Sequence, residues 1–540
     1  MKAALLAIFI PILCFSQESI DELSFNLWIE FQDKGDYSVN DFSNSDLFSD
    51  RAIARREKQN IAIHFTDLPI YPDYISQITD LGFEVLNKSK WFNGITANCK
   101  DTSLINELLT FDFIKTVDTL GISLVTSDVR RASKFESINA DEYIYGHAEN
   151  QIEMIGGLAL HDLGFQGQGI HIAVLDGGFR KTNELDAFTH LFANNQILGT
   201  WDYVDRESSV YEDGAHGMSV LSTMAGFLED EFLGTAPKAS YWLLRTEDGS
   251  SETLIEEYNW ATAAEFADSV GVDIINSSLG YTTFDIVTQD HTYADLDGQT
   301  TVVTKAATLA ARKGIIVCNS AGNSGNDNWK YIGAPADADS ILSVGAVNPM
   351  QEVTSFSSFG PSADGRVKPT VSAQGGSTAI ITPSNTIATS NGTSFSSPII
   401  AGMTACLWQA HYDKSNMQII EAITQSAHLY QNPDNQLGFG IPNYALANAL
   451  LLNVEDVNVP TLNVYPNPAF SRATFYIYSA MESDISYKIV DLQGKVVRQG
   501  EVSWNYSRYA IPLPHLQSGM YIVEVKAGDL RLLERISVLD

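Results

Sequence analysis

With 540 residues, 44% of them apolar and 10% aromatic, the chain is long enough for about two to four folded units and too apolar for wholesale disorder. Its 66 acidic and 33 basic residues leave a formal charge of −33, which excludes the basic footprint that nucleic-acid binding requires. That charge suits a soluble secreted protein or one that binds cations, and it carries no information about fold.

The first element is an export signal. Lys2 precedes the apolar segment "AALLAIFIPILCF", and Ser16–Gln17 puts a small residue before a polar start, so residues 1–16 are expected to be removed. Leu13 stands where a lipoprotein reading of Cys14 would need a small residue. No other run approaches the roughly 18 apolar residues of a membrane helix, so no span is expected once the signal is gone. The remaining cysteines, Cys99, Cys318 and Cys406, are too few for a disulfide framework and show no metal spacing. Buried thiols are expected, with a Cys318–Cys406 bridge as the alternative.

Residues 17–142 mix short amphipathic pieces. "IAIHF", "GFEVLNKSKWFNGITANC" and "FIKTVDTL" predict strands, while "YPDYISQITDLG" and "TSLINELLTF" have helical spacing. The pattern predicts a small α+β unit.

From 143 to 452 the style changes. The apolar runs "IHIAVLDGG" (Ile170–Gly178), "VDIINSSLG" (Val272–Gly280), "GIIVCNSAGNSG" (Gly314–Gly325) and "ILSVGAV" (Ile341–Val347) alternate with helical stretches such as "TLIEEYNWATAAEFADS" and "TKAATLAARK". Near-continuous apolar strands alternating with helices predict a mainly parallel sheet covered on both faces, with function gathered beyond the carboxyl ends of its strands. Asp176 ends one strand before two glycines, suited to orienting a histidine, although "DGG" is also a common turn. His216, in "DGAHGMSVLSTMAG", opens a stretch whose Ser219, Ser222, Ala225 and Gly226 would let a helix pack closely. Asn323 in "NSAGNSG" is either a turn residue or an amide donor for an oxyanion. Ser394 precedes the helical run "FSSPIIAGMTACLWQA". Because proline belongs in a first turn, the helix is expected to begin between Ser394 and Ser397, with Ser394 beside unpaired N–H groups and the positive end of the dipole.

After a linker at 453–462, residues 463–540 alternate apolar and polar positions between turn signals and predict a β-sandwich without helix.

Asp, His and Ser in this order exclude the α/β-hydrolase arrangement, which would also need glycine where Ser396 stands. With "AVLDGG", "HGMSV", "SSLG", "SAGNSG" and "NGTSFSSP", joined by "GTAPKA" (Gly234–Ala239), "FSSFGP" (Phe356–Pro361) and "GFGIPNYALA" (Gly438–Ala447), residues 145–450 resemble the subtilisin-like serine proteases, or subtilases. Three positions depart from the family pattern: Gly177 where Ser or Thr is usual, Met218 for Thr, and Ser396 for Ala. None removes a catalytic group.

The resemblance implies a three-layer α/β fold and a serine endopeptidase with the triad Asp176, His216 and Ser394 and the oxyanion donor Asn323. It implies an S1 pocket walled by Ser278, Leu279, Gly280, Ala321, Gly322 and Asn323, with Gly333 near a floor that admits a large apolar or aromatic P1 side chain. The early unit resembles a subtilase propeptide, an inhibitor removed by self-cleavage between Thr126 and Tyr145. "VYPNPA", "VDLQGKVV" and "SGMYIVEV" resemble the C-terminal sorting domain of type IX secretion substrates, which implies polypeptide substrates outside the cell and a secretion machinery as partner. No cofactor is implied for the chemistry. Structural calcium is common in such proteins, and "DYVDRE" (Asp202–Glu207) and "DHTYADLD" (Asp290–Asp297) are its candidate sites beside the simpler reading of a solvated acidic face. The alternative function is a non-catalytic surface or adhesion protein on the same scaffold.

Overall fold

In a computed structural model of the chain, the residues described are 24–123, 145–452, 463–465, 469–470, 474–478, 485–491, 494–502, 509–512, 516–527 and 530–539. The export signal, the expected cleavage segment and the linker lie outside them.

The N-terminal unit is a four-stranded antiparallel sheet in the spatial order Glu84–Ser89, Gly94–Cys99, Ser24–Phe31, Ile114–Ser123, with the helix Pro72–Asp80 packed against it through Ile78. "GFEVLNKSKWFNGITANC" forms the expected strands, which pair with each other antiparallel. "IAIHF" does not form a strand: residues 61–64 are irregular and Phe65 opens a single 3-10 turn. The central strand is instead Ser24–Phe31, whose Leu27, Ile29 and Phe31 fill the core on alternate positions.

The middle of the chain folds around a seven-stranded parallel sheet. Its spatial order is Val371–Gln374, Leu342–Val347, Ile316–Ser320, Ile274–Ser277, His171–Asp176, Ser240–Arg245, Ile197–Asp202. Along His171–Asp176, Ile172 and Val174 face one core and Ala173 and Leu175 the other, which is why this strand reads as continuously apolar. One face is covered by the helices Ile255–Val270 and Val302–Arg312. The other is covered by His216–Ala225 and Thr393–Ala410, both buried along nearly their whole length. The small side chains anticipated after His216 allow this close packing. The Ser219 hydroxyl donates to Ile381 O (3.0 Å), and the Ser222 hydroxyl accepts from Ile381 N–H (3.0 Å). These bonds anchor the hairpin Thr378–Ile381/Ile387–Ser390, which leads into the Ser394 helix.

Cys99, Cys318 and Cys406 are buried free thiols, so the Cys318–Cys406 bridge is not formed. Among the described residues no helix is long and apolar enough to cross a membrane. The described part of 463–539 consists of strands in two sheets, without helix.

The N-terminal unit docks on the Ile255–Val270 helix through buried charge. Asp268 accepts from Arg55 and from Arg56 (2.6 Å), Arg56 also pairs with Asp67 (2.9 Å), and Lys313 reaches Asp67 (2.6 Å). Glu265 takes hydrogen bonds from the Ser89 hydroxyl and from the N–H groups of Lys90 (2.8 Å) and Trp91 (3.1 Å). Removing one member of a buried ionic set strands the others, at a cost of about 3–5 kcal/mol. Asp268→Asn, made in an intact Ser394→Ala chain, is therefore expected to lower amide-exchange protection of the helix Asp50–Lys58 about 10²-fold or more. Unchanged protection there would contradict this account of the interface.

Candidate active site

Asp176 is the last residue of its strand, and its side chain is wholly buried. Its Oδ1 accepts from His216 Nδ1 (2.7 Å) and from the Gly177 N–H (2.8 Å). The chain can turn here because Gly178 adopts φ +129° and passes against Asp213, whose carbonyl oxygen would lie 2.1 Å from an added Cβ. His216 is the first residue of its helix. Burial alone would lower the imidazole pKa, but the charge and hydrogen bond of Asp176 outweigh it and hold His216 above its ordinary value.

Ser394 lies in the first turn of the helix Thr393–Ala410, where backbone N–H groups have no intrahelical acceptor. The ring of the next residue, Phe395, has its centroid 6.0 Å from that of His216, so the histidine faces the start of the serine helix. The Ser394 hydroxyl is 3.4 Å from Ser278 O, and the Ser278 hydroxyl donates to Ser394 O (2.8 Å). This second bond explains a difference from the sequence reading. The helix begins at Thr393, one residue before the expected window, which puts Pro398 in its second turn. Pro398 has no N–H for the carbonyl of Ser394 four residues earlier. Ser278 supplies the missing donor from the neighbouring strand end. Ser396 and Ser397 bond Thr393 O (3.0 Å) and Asn276 Oδ1 (3.0 Å), as helix-start residues should.

Asn323 follows the strand Ile316–Ser320, and its amide is oriented by a residue the sequence reading did not single out. The backbone N–H and hydroxyl of Thr393 both donate to Asn323 Oδ1, at 2.9 and 3.0 Å. With the oxygen held, Nδ2 is left facing the helix start, 3.6 Å from where a Cβ on Gly392 would lie. The "NGTS" motif contains Thr393, but its reach to Asn323 across 70 residues has no local signal.

The expected pocket walls also come together. Asn319 Nδ2 and the Ser320 hydroxyl donate to Leu279 O (3.1 and 3.3 Å), and Gly333 N–H donates to Ala321 O (3.2 Å). A Cβ on Gly333 would lie 3.6 Å from Gly280 and 3.4 Å from Thr282. Gly322, at φ +108°, would place a Cβ 2.9 Å from the Ser358 hydroxyl, so no other residue fits there. Ser278–Gly280 and Ala321–Asn323 thus lie at neighbouring strand ends beside Ser394, with Gly333 close to both.

The two acidic stretches fit a cation poorly. Asp202, Asp205 and Asp213 converge, but Arg245 Nη1 already lies among them at 2.7, 2.6 and 3.3 Å. In the second stretch Asp290, Asp295 and Asp297 accept from the N–H groups of Phe284, Thr292 and Gln299 (2.7, 2.7 and 2.8 Å), the pattern of turns and caps.

Comparison with known proteins matches residues 167–440 to the subtilase family, residues 26–136 to the peptidase S8 propeptide domain of Bacteroidota, and residues 463–538 to a secretion system C-terminal sorting domain. Subtilisin NAT from Bacillus subtilis subsp. natto is 31% identical over 280 residues, covering 51% of this chain and 65% of its own length. Subtilisin from Bacillus pumilus is 30% identical over 300 residues, covering 55% and 97%. Among solved structures, MycP1 with its N-terminal propeptide removed aligns with a TM-score of 0.45 and 21% identity, over 55% of this chain and 96% of that one.

Proposed function

The chain belongs to the subtilase family, and from that premise we propose that it is a secreted serine endopeptidase, made as a zymogen, in which Ser394, His216 and Asp176 act as nucleophile, base and orienting acid. The observation that carries the proposal is the pairing of buried Asp176 with half-buried His216, which faces a helix start where Thr393 orients the Asn323 amide.

Ser394 attacks the scissile carbonyl while His216 Nε2 takes its proton. Asp176 holds the imidazole with Nδ1–H toward itself and stabilises the imidazolium as it forms. The oxyanion of the tetrahedral intermediate lies between Asn323 Nδ2 and the Ser394 N–H, where preorganised donors act without reorienting. His216 then protonates the leaving amine, and a water molecule repeats the sequence on the acyl-enzyme. Every role is filled by this chain's own groups, so the chemistry calls on no cofactor. A calcium ion, if the protein binds one, would have a structural part.

The N-terminal unit, matched to a propeptide, is the inhibitor held on the enzyme until self-cleavage between Thr126 and Tyr145. The C-terminal unit is the address read by the type IX machinery, which delivers the protein to the cell surface or beyond. The lack of a side chain at Gly333, near the floor, favours a large apolar or aromatic P1 residue.

Purified, processed protein is expected to react with a fluorophosphonate probe at Ser394, and Ser394→Ala to remain unlabelled. An unlabelled wild type would instead favour a surface or adhesion protein on this scaffold. Asn323→Ala should lower kcat by about 10²–10³ with little change in KM, because its amide acts on the transition state. A fall confined to KM would place Asn323 in substrate binding instead.

A further inference from the structure

Arg245 is the last residue of its strand, and that strand runs between two others whose ends it meets. In the parallel register Arg245 stands opposite Asp176 on one side and opposite Asp202 on the other. Its carbonyl oxygen accepts from the Tyr203 N–H (2.9 Å). Its side chain turns toward the Asp202 strand, where Nη1 reaches Asp202 (2.7 Å), Asp205 (2.6 Å) and Asp213 (3.3 Å). Arg245 and Asp202 are buried, whereas Asp205 and Asp213 are exposed. Asp202 Oδ1 also accepts from the N–H groups of Val204 (2.8 Å) and Asp205 (2.9 Å), which folds the following turn onto the same carboxylate. One guanidinium nitrogen among three carboxylates occupies the place that a bound cation would take.

The third of these acids leads to the base. Asp213 lies three residues before His216, and the stretch around it runs along the chain that leaves Asp176. The N–H groups of Phe179, Arg180 and Lys181 donate to the carbonyls of Val210 (2.9 Å), Gly214 (2.8 Å) and Tyr211 (3.0 Å). The two backbones also touch. A Cβ on Gly178 would lie 2.1 Å from Asp213 O, and one on Gly214 would lie 2.0 Å from Gly177 O. The approach to His216 and the exit from Asp176 therefore form one paired unit, and Arg245 fastens that unit to the sheet through Asp213. Without the guanidinium, Asp202 would be a buried carboxylate without its counter-charge, facing two more of the same sign.

We propose that Arg245 is a positioning residue for His216, a built-in cation that ties the approach to the base to the strand ends beside Asp176. The proposal rests on the reading of His216 as the base given above. Arg245 reaches the imidazole through Asp213 and the backbone that follows it, so its effect falls on where His216 stands and not on what binds in the pocket. A base displaced by a fraction of a hydrogen-bond length loses rate while substrate still binds. The segment 203–215 also keeps its order without a metal ion, although its three acids are of the kind a calcium site would use.

The test is kcat and KM of the processed protein, with active sites counted by fluorophosphonate titration. Arg245→Ala is expected to lower kcat per active site about 10–10²-fold and to change KM by less than about twofold. Arg245→Lys should recover most of that loss, because the carboxylates converge on one nitrogen and a compact ammonium can replace it. A merely structural role would lower the number of active sites and leave kcat per site unchanged. In an intact Ser394→Ala chain, Arg245→Ala should raise amide exchange across 203–215 about tenfold or more and leave the helix Ile255–Val270 as it was. Excess chelator should not alter that exchange while Arg245 is present. An unchanged kcat in Arg245→Ala, a loss carried by KM alone, no recovery in Arg245→Lys, or exchange that rises in chelator overturns the proposal. If Arg245→Ala does not fold, Asp213→Ala should lower kcat about two- to fivefold, the scale of one exposed ion pair, and an unchanged kcat there overturns it as well. The exchange readout does not depend on the base: a wild type that fails to label, with a segment that Arg245→Ala still releases, counts against the triad reading alone.

Discussion

Ser394→Ala is expected to lower peptide hydrolysis by about 10⁶-fold, the scale observed when a subtilisin loses a triad member. The substitution removes one hydroxyl at the start of a buried helix where alanine is a better helix former, so the fold should be kept. The residual rate would come from the oxyanion donors and from binding, which persist without the nucleophile. The variant should also keep its N-terminal unit, so its intact mass should exceed that of the processed wild type by the segment ending between Thr126 and Tyr145. A Ser394→Ala chain that still sheds this segment, or that keeps more than about a hundredth of wild-type turnover, would falsify the assignment of Ser394.

Asp176→Asn should cost about 10⁴-fold in kcat for a different reason. The amide is nearly the size of the carboxylate and fills the same buried space. However, it can present N–H to His216 Nδ1, which turns the imidazole to the tautomer that carries its proton on Nε2, where the base must be free. The substitution also removes the charge that holds His216 above its ordinary pKa. In wild type, activity is lost as pH falls through that raised value. In Asp176→Asn the acid limb should therefore move to lower pH while the plateau drops. A variant with full activity, or one whose acid limb stays in place, would show that Asp176 does not orient the base.

The four groups proposed to carry the chemistry could be picked out because each is compressed into a short motif at the end of a strand or the start of a helix. Asp176 after its apolar run, His216 before a row of small residues, and Ser394 before a helix containing proline are visible without knowing what they touch. The continuous apolar runs likewise revealed the middle of the parallel sheet. Its two edge strands, "ILGTWD" and "VSAQ", and "SYWLLR" next to the first, are short or bounded by polar residues and were not anticipated. The same limit applied to Ser24–Phe31, whose role as a central strand depends on partners at Gly94–Cys99 and Ile114–Ser123. Features that rest on distant pairs left no local trace. Thr393 holding Asn323, Arg55 and Arg56 meeting Asp268 more than 200 residues away, and Arg245 lying among Asp202, Asp205 and Asp213 each require the folded chain.

The proline in the serine helix has a mechanical consequence. In an ordinary helix the carbonyl of Ser394 would be tied to its own next turn. Here it is tied to Ser278, while the Ser394 hydroxyl looks back to the Ser278 carbonyl. Under the proposed mechanism, the peptide that carries the nucleophile is fastened to the expected pocket wall and not to the shaft behind it. Under that mechanism, a side chain pressing on Ser278 would pull on the same residue that must attack, so filling the pocket and aiming the hydroxyl would be one displacement. A chain with a free N–H at position 398 would let the helix reclaim that carbonyl, and the two movements would come apart.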